Sequence, residues 1–241
     1  MHPRSLHARF ADILRAFLPP HMAVSRRDMW LGSVGMAIGL TMTELMCRQA
    51  GWIAAPWFIA PMGATAMLVF FLPASPMAQP WPVVGGNLVS ALVGTALYHL
   101  GGDGGQVAAL AAAVATALMF ALRCLHPPGA AVALTAVIGG SAIHRLDWGF
   151  ALWPVGLNAL CLVVLGLVLN NAAGRRYPHW HAQVPTPAHP LLPDSGNAIT
   201  AQDLDAALAS FDELLDVDRE DLEEIVARAQ ENARRRIARP A

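Results

Sequence analysis

The chain has 241 residues, 55% of them apolar and 14% charged, with a net charge of −1 and no lysine at all. An ordinary soluble domain carries about a quarter charged residues, so a lipid bilayer is the expected surrounding. The clustered basic residues of a nucleic-acid footprint are missing, which excludes nucleic acid as a partner.

In the first 27 residues, Leu6, Phe10, Ile13, Leu14 and Phe17 recur at helical spacing opposite arginines, and Pro19-Pro20 ends the pattern. This predicts a basic amphipathic segment on a membrane surface, with the N-terminus cytoplasmic by the positive-inside rule. No signal-peptide core or cleavage site is seen there, so Met1 onward is expected in the mature chain.

Six apolar segments follow, at about 28–47, 57–72, 82–100, 106–123, 127–143 and 149–170. Only Asp28, Glu44, Arg48, Asp103, Arg123, Arg145 and Asp147 are charged between Asp28 and Asn170. A crossing helix needs about 20 residues; the second and fifth segments are shorter and begin at proline-glycine elements, so they are either spans or re-entrant helices. Arg175 and Arg176 predict a cytoplasmic exit and an even number of crossings, six or four. Glu44 and Arg48 are expected to pair at an interface, His99 and His144 to lie at loop edges, and Gly35, Gly39, Ala109, Ala113 and Ala117 to serve close helix packing. Cys47, Cys124 and Cys161 are odd in number and far apart, which is neither a disulfide framework nor a zinc spacing.

The halves, about 28–100 and 106–170, repeat. Pro61-Met62-Gly63-Ala64-Thr65-Ala66 matches Pro127-Pro128-Gly129-Ala130-Ala131-Val132, and Trp81-Pro82-Val83 with Asn87 matches Trp153-Pro154-Val155 with Asn158, in the same order. Three full spans per half would make the halves inverted, a plan common in secondary transporters; re-entrant second segments would leave them parallel. The predicted fold is an all-α, polytopic membrane bundle (28–172) with an internal two-fold repeat. A polar, proline-rich linker (173–199) and an acidic, helical cytosolic tail (200–241) follow, with Thr200 and Asp218 as helix caps.

The candidate site lies where the proline-led helices begin. Proline costs little in a first helical turn, and the amides and dipole of such a turn favour an anion. Pro127, Pro128, Gly129 and Ala130 would form one such start, and Pro61, Gly63 and Ala64 the other. Arg123 and His126 would add charge or donors, Asn87 and Asn158 would line the route, and protonation of His126 would couple it to pH. The bland alternative is that the prolines only break helices while Arg123 and His126 reach the interface. No zinc motif, nucleophile elbow or phosphate loop occurs, and a calcium-like run at 216–227 lacks the needed glycine and glutamate. No enzyme activity, metal or cofactor is expected.

The run His126-Pro127-Pro128-Gly129-Ala130-Ala131, after the earlier Pro61-Met62-Gly63-Ala64 element, resembles the HPP family of integral membrane proteins over roughly residues 25–172. The resemblance implies four membrane helices, and transport, since plant and cyanobacterial members are associated with nitrite. Longer bacterial members carry C-terminal CBS modules that bind adenosyl ligands; no such pair occurs before Ala241. The expectation is a multi-pass protein of a bacterial-type inner membrane, both termini cytoplasmic, that transports a small inorganic anion, with nitrite as the candidate. Against it stands a non-transporting scaffold or sensor whose acidic tail binds a cytosolic partner or forms a homodimer.

Overall fold

The structure, a computed structural model, describes residues 26–49, 59–179, 199–209 and 219–237. Among these every regular element is helical. The basic segment before Arg26, most of the linker and the Asp218 cap lie outside the described residues.

Six helices build the membrane domain, three from each half. The first half supplies α1 (Arg26–Gln49), α2 (Pro61–Phe71) and α3 (Asn87–Gly101), the last entered through a wide helical turn at Pro82–Gly86. The second half supplies α4 (Gly105–Ala121), α5 (Pro127–Ile138) and, beyond the short α6 (Ser141–His144), α7 (Leu157–Ala172), entered through a kinked turn at Ala151–Gly156. In that turn Trp153 leaves the helical region (φ −139°, ψ 120°) just before Pro154. The repeated Trp-Pro words thus mark two irregular helix starts. Each delivers an asparagine, Asn87 or Asn158, to a fully buried position.

Packing follows the repeat. Helix α1 lies against α2 and α7, as α4 lies against α5 and α3; α2 packs on α7 as α5 packs on α3, and α2 meets α5 between the halves. These pairs exchange under one two-fold operation, so the internal repeat is a property of the fold.

Hydrogen bonds sort the helix ends onto two faces. On one face Arg27 donates from Nη2 to Ala173 O (3.2 Å), which joins the start of α1 to the end of α7. Arg175 reaches the end of α2, donating to Phe70 O (2.6 Å) and Phe71 O (3.2 Å). Tyr177 Oη donates to Ala78 O (2.9 Å), and Trp81 Nε1 to Leu122 O (3.2 Å), which brings the turns before α3 and after α4 to the same side. On the other face His99, near the end of α3, pairs with Asp147 at 2.5 Å, while His144 stacks on Tyr98 and bonds to Val137 O near the end of α5. Successive segments therefore alternate in direction. The first half enters from the arginine-rich face and the second from the opposite face, so the halves are inverted.

Length separates the six helices into two kinds. Arg26–Met46, Pro82–Gly101 and Ala151–Ala172 are long and apolar enough to cross a membrane, and α4, with 17 residues, stands at the lower end of the usual range of about 17–25. Helices α2 and α5 have 11 and 12 residues, or about 16 and 18 Å at a rise of 1.5 Å per residue, roughly half of a 30 Å hydrocarbon core. The count of four and the count of six describe the same chain: four long helices and two half-length ones.

Small residues set the closest contacts. A Cβ on Gly39 would lie 2.4 Å from the Phe70 ring and one on Gly35 2.9 Å from it, as their spacing predicts. On α4 the expected face is wrong. Ala109, Ala113 and Ala117 are exposed, and Ala108, Ala111 and Ala115 pack against Ala133 and Val137 of α5. A helix so rich in alanine has little side-chain contrast around its circumference, so its buried face is chosen by the partner rather than by pattern.

The packed domain also runs past residue 172. Tyr177 is 1% exposed, and its main chain bonds with the Asn171 amide on both N–H and C=O. Burial pushes its phenol well above the ordinary range, and His179 N donates to Gln79 Oε1 (2.8 Å). In the tail, α8 (Ala201–Ala209) starts with the expected cap: Asp203 N donates to Thr200 Oγ1, and the Asp203 carboxylate accepts from Thr200 N. The Thr200 hydroxyl, which also donates to that carboxylate (2.7 Å), and then the Thr200 N–H hold the Asp203 carboxyl below its ordinary range. Helix α9 (Arg219–Ile237) follows.

Tyr177→Phe leaves the buried Ala78 carbonyl without its phenol donor, which costs about 1–2 kcal/mol. Thermal unfolding of the variant in detergent is expected at a lower midpoint than wild type; an unchanged midpoint would mean that residues 173–179 do not belong to the packed domain.

Candidate functional site

The two proline-led helix starts meet. Thr65, on the second turn of α2, has its hydroxyl 2.9 Å from Nε2 of His126, the residue immediately before α5, and both side chains are fully buried. The other ring nitrogen, Nδ1, lies 2.9 Å from Met77 O in the turn between α2 and α3. A carbonyl oxygen only accepts, so Nδ1 carries the proton, and in the neutral ring Nε2 is the acceptor for Thr65 O–H. This tautomer satisfies both nitrogens without a charge. His126 therefore acts as a polar clamp on three segments, rather than as the cationic group the sequence suggested.

Hydrogen bonding also corrects the expectation of free amides. Pro61, Pro127 and Pro128 have no N–H. Met62 N donates to Ile59 O (3.0 Å), Gly63 N to Ala60 O (3.0 Å) and Gly129 N to His126 O (2.8 Å), because each helix opens with a tight turn that uses its own preceding carbonyls. What remains at these starts is the positive end of each helix dipole.

Arg123 is not brought into this centre. It is exposed, with φ 54°, and forms the left-handed residue that closes α4: Arg123 N donates to Phe120 O (3.2 Å) and Cys124 N to Met119 O (2.9 Å). This is the hydrogen-bond pattern of a Schellman cap, usually built on glycine. Pro127 and Ala64 are likewise exposed, while Pro61, Pro128 and Gly129 are buried and Gly63 and Ala130 half-buried.

The paired glycines have different surroundings. Nothing lies within 4 Å of a Cβ built on Gly63, whereas one on Gly129 would meet Ser90 Oγ at 2.6 Å and one on Gly86 would meet Cys124 O at 2.6 Å. Gly86 and Gly129 allow the start of α5 to sit against the start of α3.

Asn87 then enters from α3. Its Nδ2 donates to Val83 O one turn earlier (2.7 Å), which fixes the amide orientation, and its buried Oδ1 has no hydrogen-bond partner. Buried polar groups are nearly always paired, so an unpaired buried acceptor marks a place suited to a donor. Asn158, its repeat counterpart, is also fully buried. Sequence reasoning missed Thr65, Met77 and Ser90. Thr65 was visible inside the Pro-Met-Gly-Ala-Thr run, one turn beyond Pro61 on the same helix face, while the Met77 carbonyl left no trace in sequence. No group of three or more metal-binding side chains occurs among the described residues.

The transmembrane region characteristic of HPP proteins matches residues 21–178, most of the chain and nearly all of the packed domain. The chain belongs to the HPP family. The chain is also similar to two transmembrane proteins of Dictyostelium discoideum, at 36% identity over 128 residues and 34% over 127, in each case 51% of this chain. Those matches cover 45% and 40% of the relatives, so the chain spans less than half their length. No solved structure matches it. The HPP domain is thus a multi-pass membrane domain, and His126 of its His126-Pro127-Pro128 run is the residue that ties α5 to α2.

Thr65→Val removes the hydroxyl partner of His126 Nε2 at nearly constant volume and leaves a buried ring nitrogen unpaired, a loss of about 1–3 kcal/mol. Thr65→Ser retains the hydroxyl and is expected to recover most of that stability in detergent melts. Equal destabilisation by the two substitutions would show that shape, not the hydrogen bond, is what Thr65 contributes.

Proposed function

We propose that the HPP domain passes a small inorganic anion, nitrite being the first candidate, across the bilayer together with a proton, that is, as its conjugate weak acid. The observation that carries this reading is the uncharged polar seam at the meeting of the half-length helices: Thr65, His126, Asn87 and Ser90, with Asn158 on the symmetry-related start. Among the described residues the buried polar side chains are threonine, serine, asparagine and neutral histidine, with no buried arginine or carboxylate. A bare ion in such surroundings would go without a counter-charge, at a cost of several kcal/mol. A protonated oxyacid avoids that cost. Its O–H suits the unpaired Asn87 Oδ1, and its remaining oxygens suit the positive ends of the α2 and α5 dipoles. Nitrite enters through the family resemblance, and it is the base of a weak acid.

The test is nitrite uptake into proteoliposomes under an inward proton gradient, begun near neutral pH, where little free acid leaks through lipid. Wild type is expected to exceed empty liposomes and to slow when the gradient is collapsed. Asn87→Leu is expected to lower flux by about fivefold or more, the loss of one buried hydrogen bond at about 1–3 kcal/mol. Arg123→Gly, at the exposed cap, is expected to retain flux. No uptake above empty liposomes for any weak-acid anion by folded protein would defeat the proposal and favour a scaffold.

The same reading assigns the face bearing Arg26, Arg27, Arg123, Arg175 and Arg176 to the cytoplasm, since the opposite helix ends carry only Arg48 and Arg145 beside Glu44, Asp103 and Asp147. With Cys47 replaced by serine, Asp103→Cys is expected to react with an impermeant thiol reagent from outside the cell, and Arg123→Cys only after the membrane is opened. The reverse pattern would invert the topology.

A further inference from the structure

We infer that the cleft between α1 and α7, at the arginine-rich face, holds one anionic phospholipid, its phosphate at Arg27 and Arg175 and an acyl chain along the helices. The cleft encloses about 100 Å³. Leu31, Val34, Gly35 and Ile38 line it from α1 at spacings of three and four, one helical stripe running about 10 Å from the arginine end. Leu169 and Asn170 line it from α7 and Phe70 forms its floor. The floor is there because Gly35 has no side chain to keep Phe70 away.

The walls face lipid: Val34 is 50% and Ile38 38% exposed. An acyl chain therefore lies in the cleft with its outer side still in the bilayer. Arg175 lines the head end, and only two of the five N–H groups of a guanidinium are needed for its bonds to Phe70 O and Phe71 O. Arg27 is held beside it by its bond to Ala173 O, and Arg26 and Arg176 are exposed in the same neighbourhood of the chain. Asp28 offsets one of these four positive charges. The balance attracts a phosphate, and basic pockets between membrane helices are known to take anionic head groups. A zwitterionic lipid fits the apolar part equally well but gains less at the head. A second consequence concerns α2: the group that caps its end is the group that meets the lipid.

The experiment is native mass spectrometry of the full chain in detergent, with phosphatidylglycerol, with phosphatidylethanolamine of the same acyl chains, and with glycerol 3-phosphate. One retained phosphatidylglycerol is expected, preferred over phosphatidylethanolamine by about fivefold or more, the effect of roughly one arginine near a membrane surface. Arg27→Gln should reduce that preference, and it is used in place of Arg175 because Arg175 also holds α2. Val34→Trp should fill the cleft and remove bound lipid of either kind. Equal retention of the two lipids, no retained phosphatidylglycerol, or an adduct that survives Val34→Trp would overturn the inference. So would glycerol 3-phosphate binding as well as the lipid, since the site would then serve a free phosphate.

Discussion

Inside hydrocarbon a polar group without a partner has no water to turn to, so every break in a helix must be repaired by other parts of the protein. In this domain the breaks are many: two half-length helices, two irregular helix starts and a turn between α2 and α3. His126 repairs the central one. Its ring takes the Thr65 hydroxyl on one side and gives its proton to Met77 O on the other, so that one side chain fastens α5 to α2 and to the chain leaving α2. The other end of α2 is repaired from α7 and the turn beyond it, by Asn170, whose Nδ2 donates to Val69 O (3.0 Å), and by Arg175 on the Phe70 and Phe71 carbonyls. A helix of 11 residues is thus held at both ends by groups from the opposite half of the repeat.

That dependence explains why the two halves differ in detail although they share a plan. At the centre the roles are unequal: α5 contributes His126 while the matching position before α2 is Ala60, and Gly129 is packed while Gly63 faces open space. Identical halves would set two histidines, or two empty places, against each other across the symmetry axis. One donor-acceptor group meeting one hydroxyl closes the contact without leaving a charge or a cavity.

Much of the architecture was legible because it is written in backbone chemistry. Pro-Gly and Trp-Pro-Asn words constrain the chain wherever they occur, so their recurrence exposed the repeat, and charge scarcity with segment length exposed the membrane. What stayed hidden depends on partners. The buried face of α4 could not be read from alanines that differ only in which neighbour they meet. Arg123 looked like a site residue because it adjoins the motif, but the turn that closes α4 sends it outward, and a left-handed arginine has no signature of its own. Tyr177-Pro178 had the composition of a linker, and only the position of Ala78 and Gln79 in space makes it part of the core.

The correction at the helix starts bears on what such a centre can do. A cradle of free amides would bind a bare anion and hold it; here the prolines remove those donors and tight turns consume the next ones, so the dipole ends act with few hydrogens to offer. A weak field without fixed charge binds loosely, and conduction needs binding that is favourable enough to admit a solute and loose enough to release it. Proline at the first turns is therefore more than a helix starter. It keeps the dipole while withholding the donors.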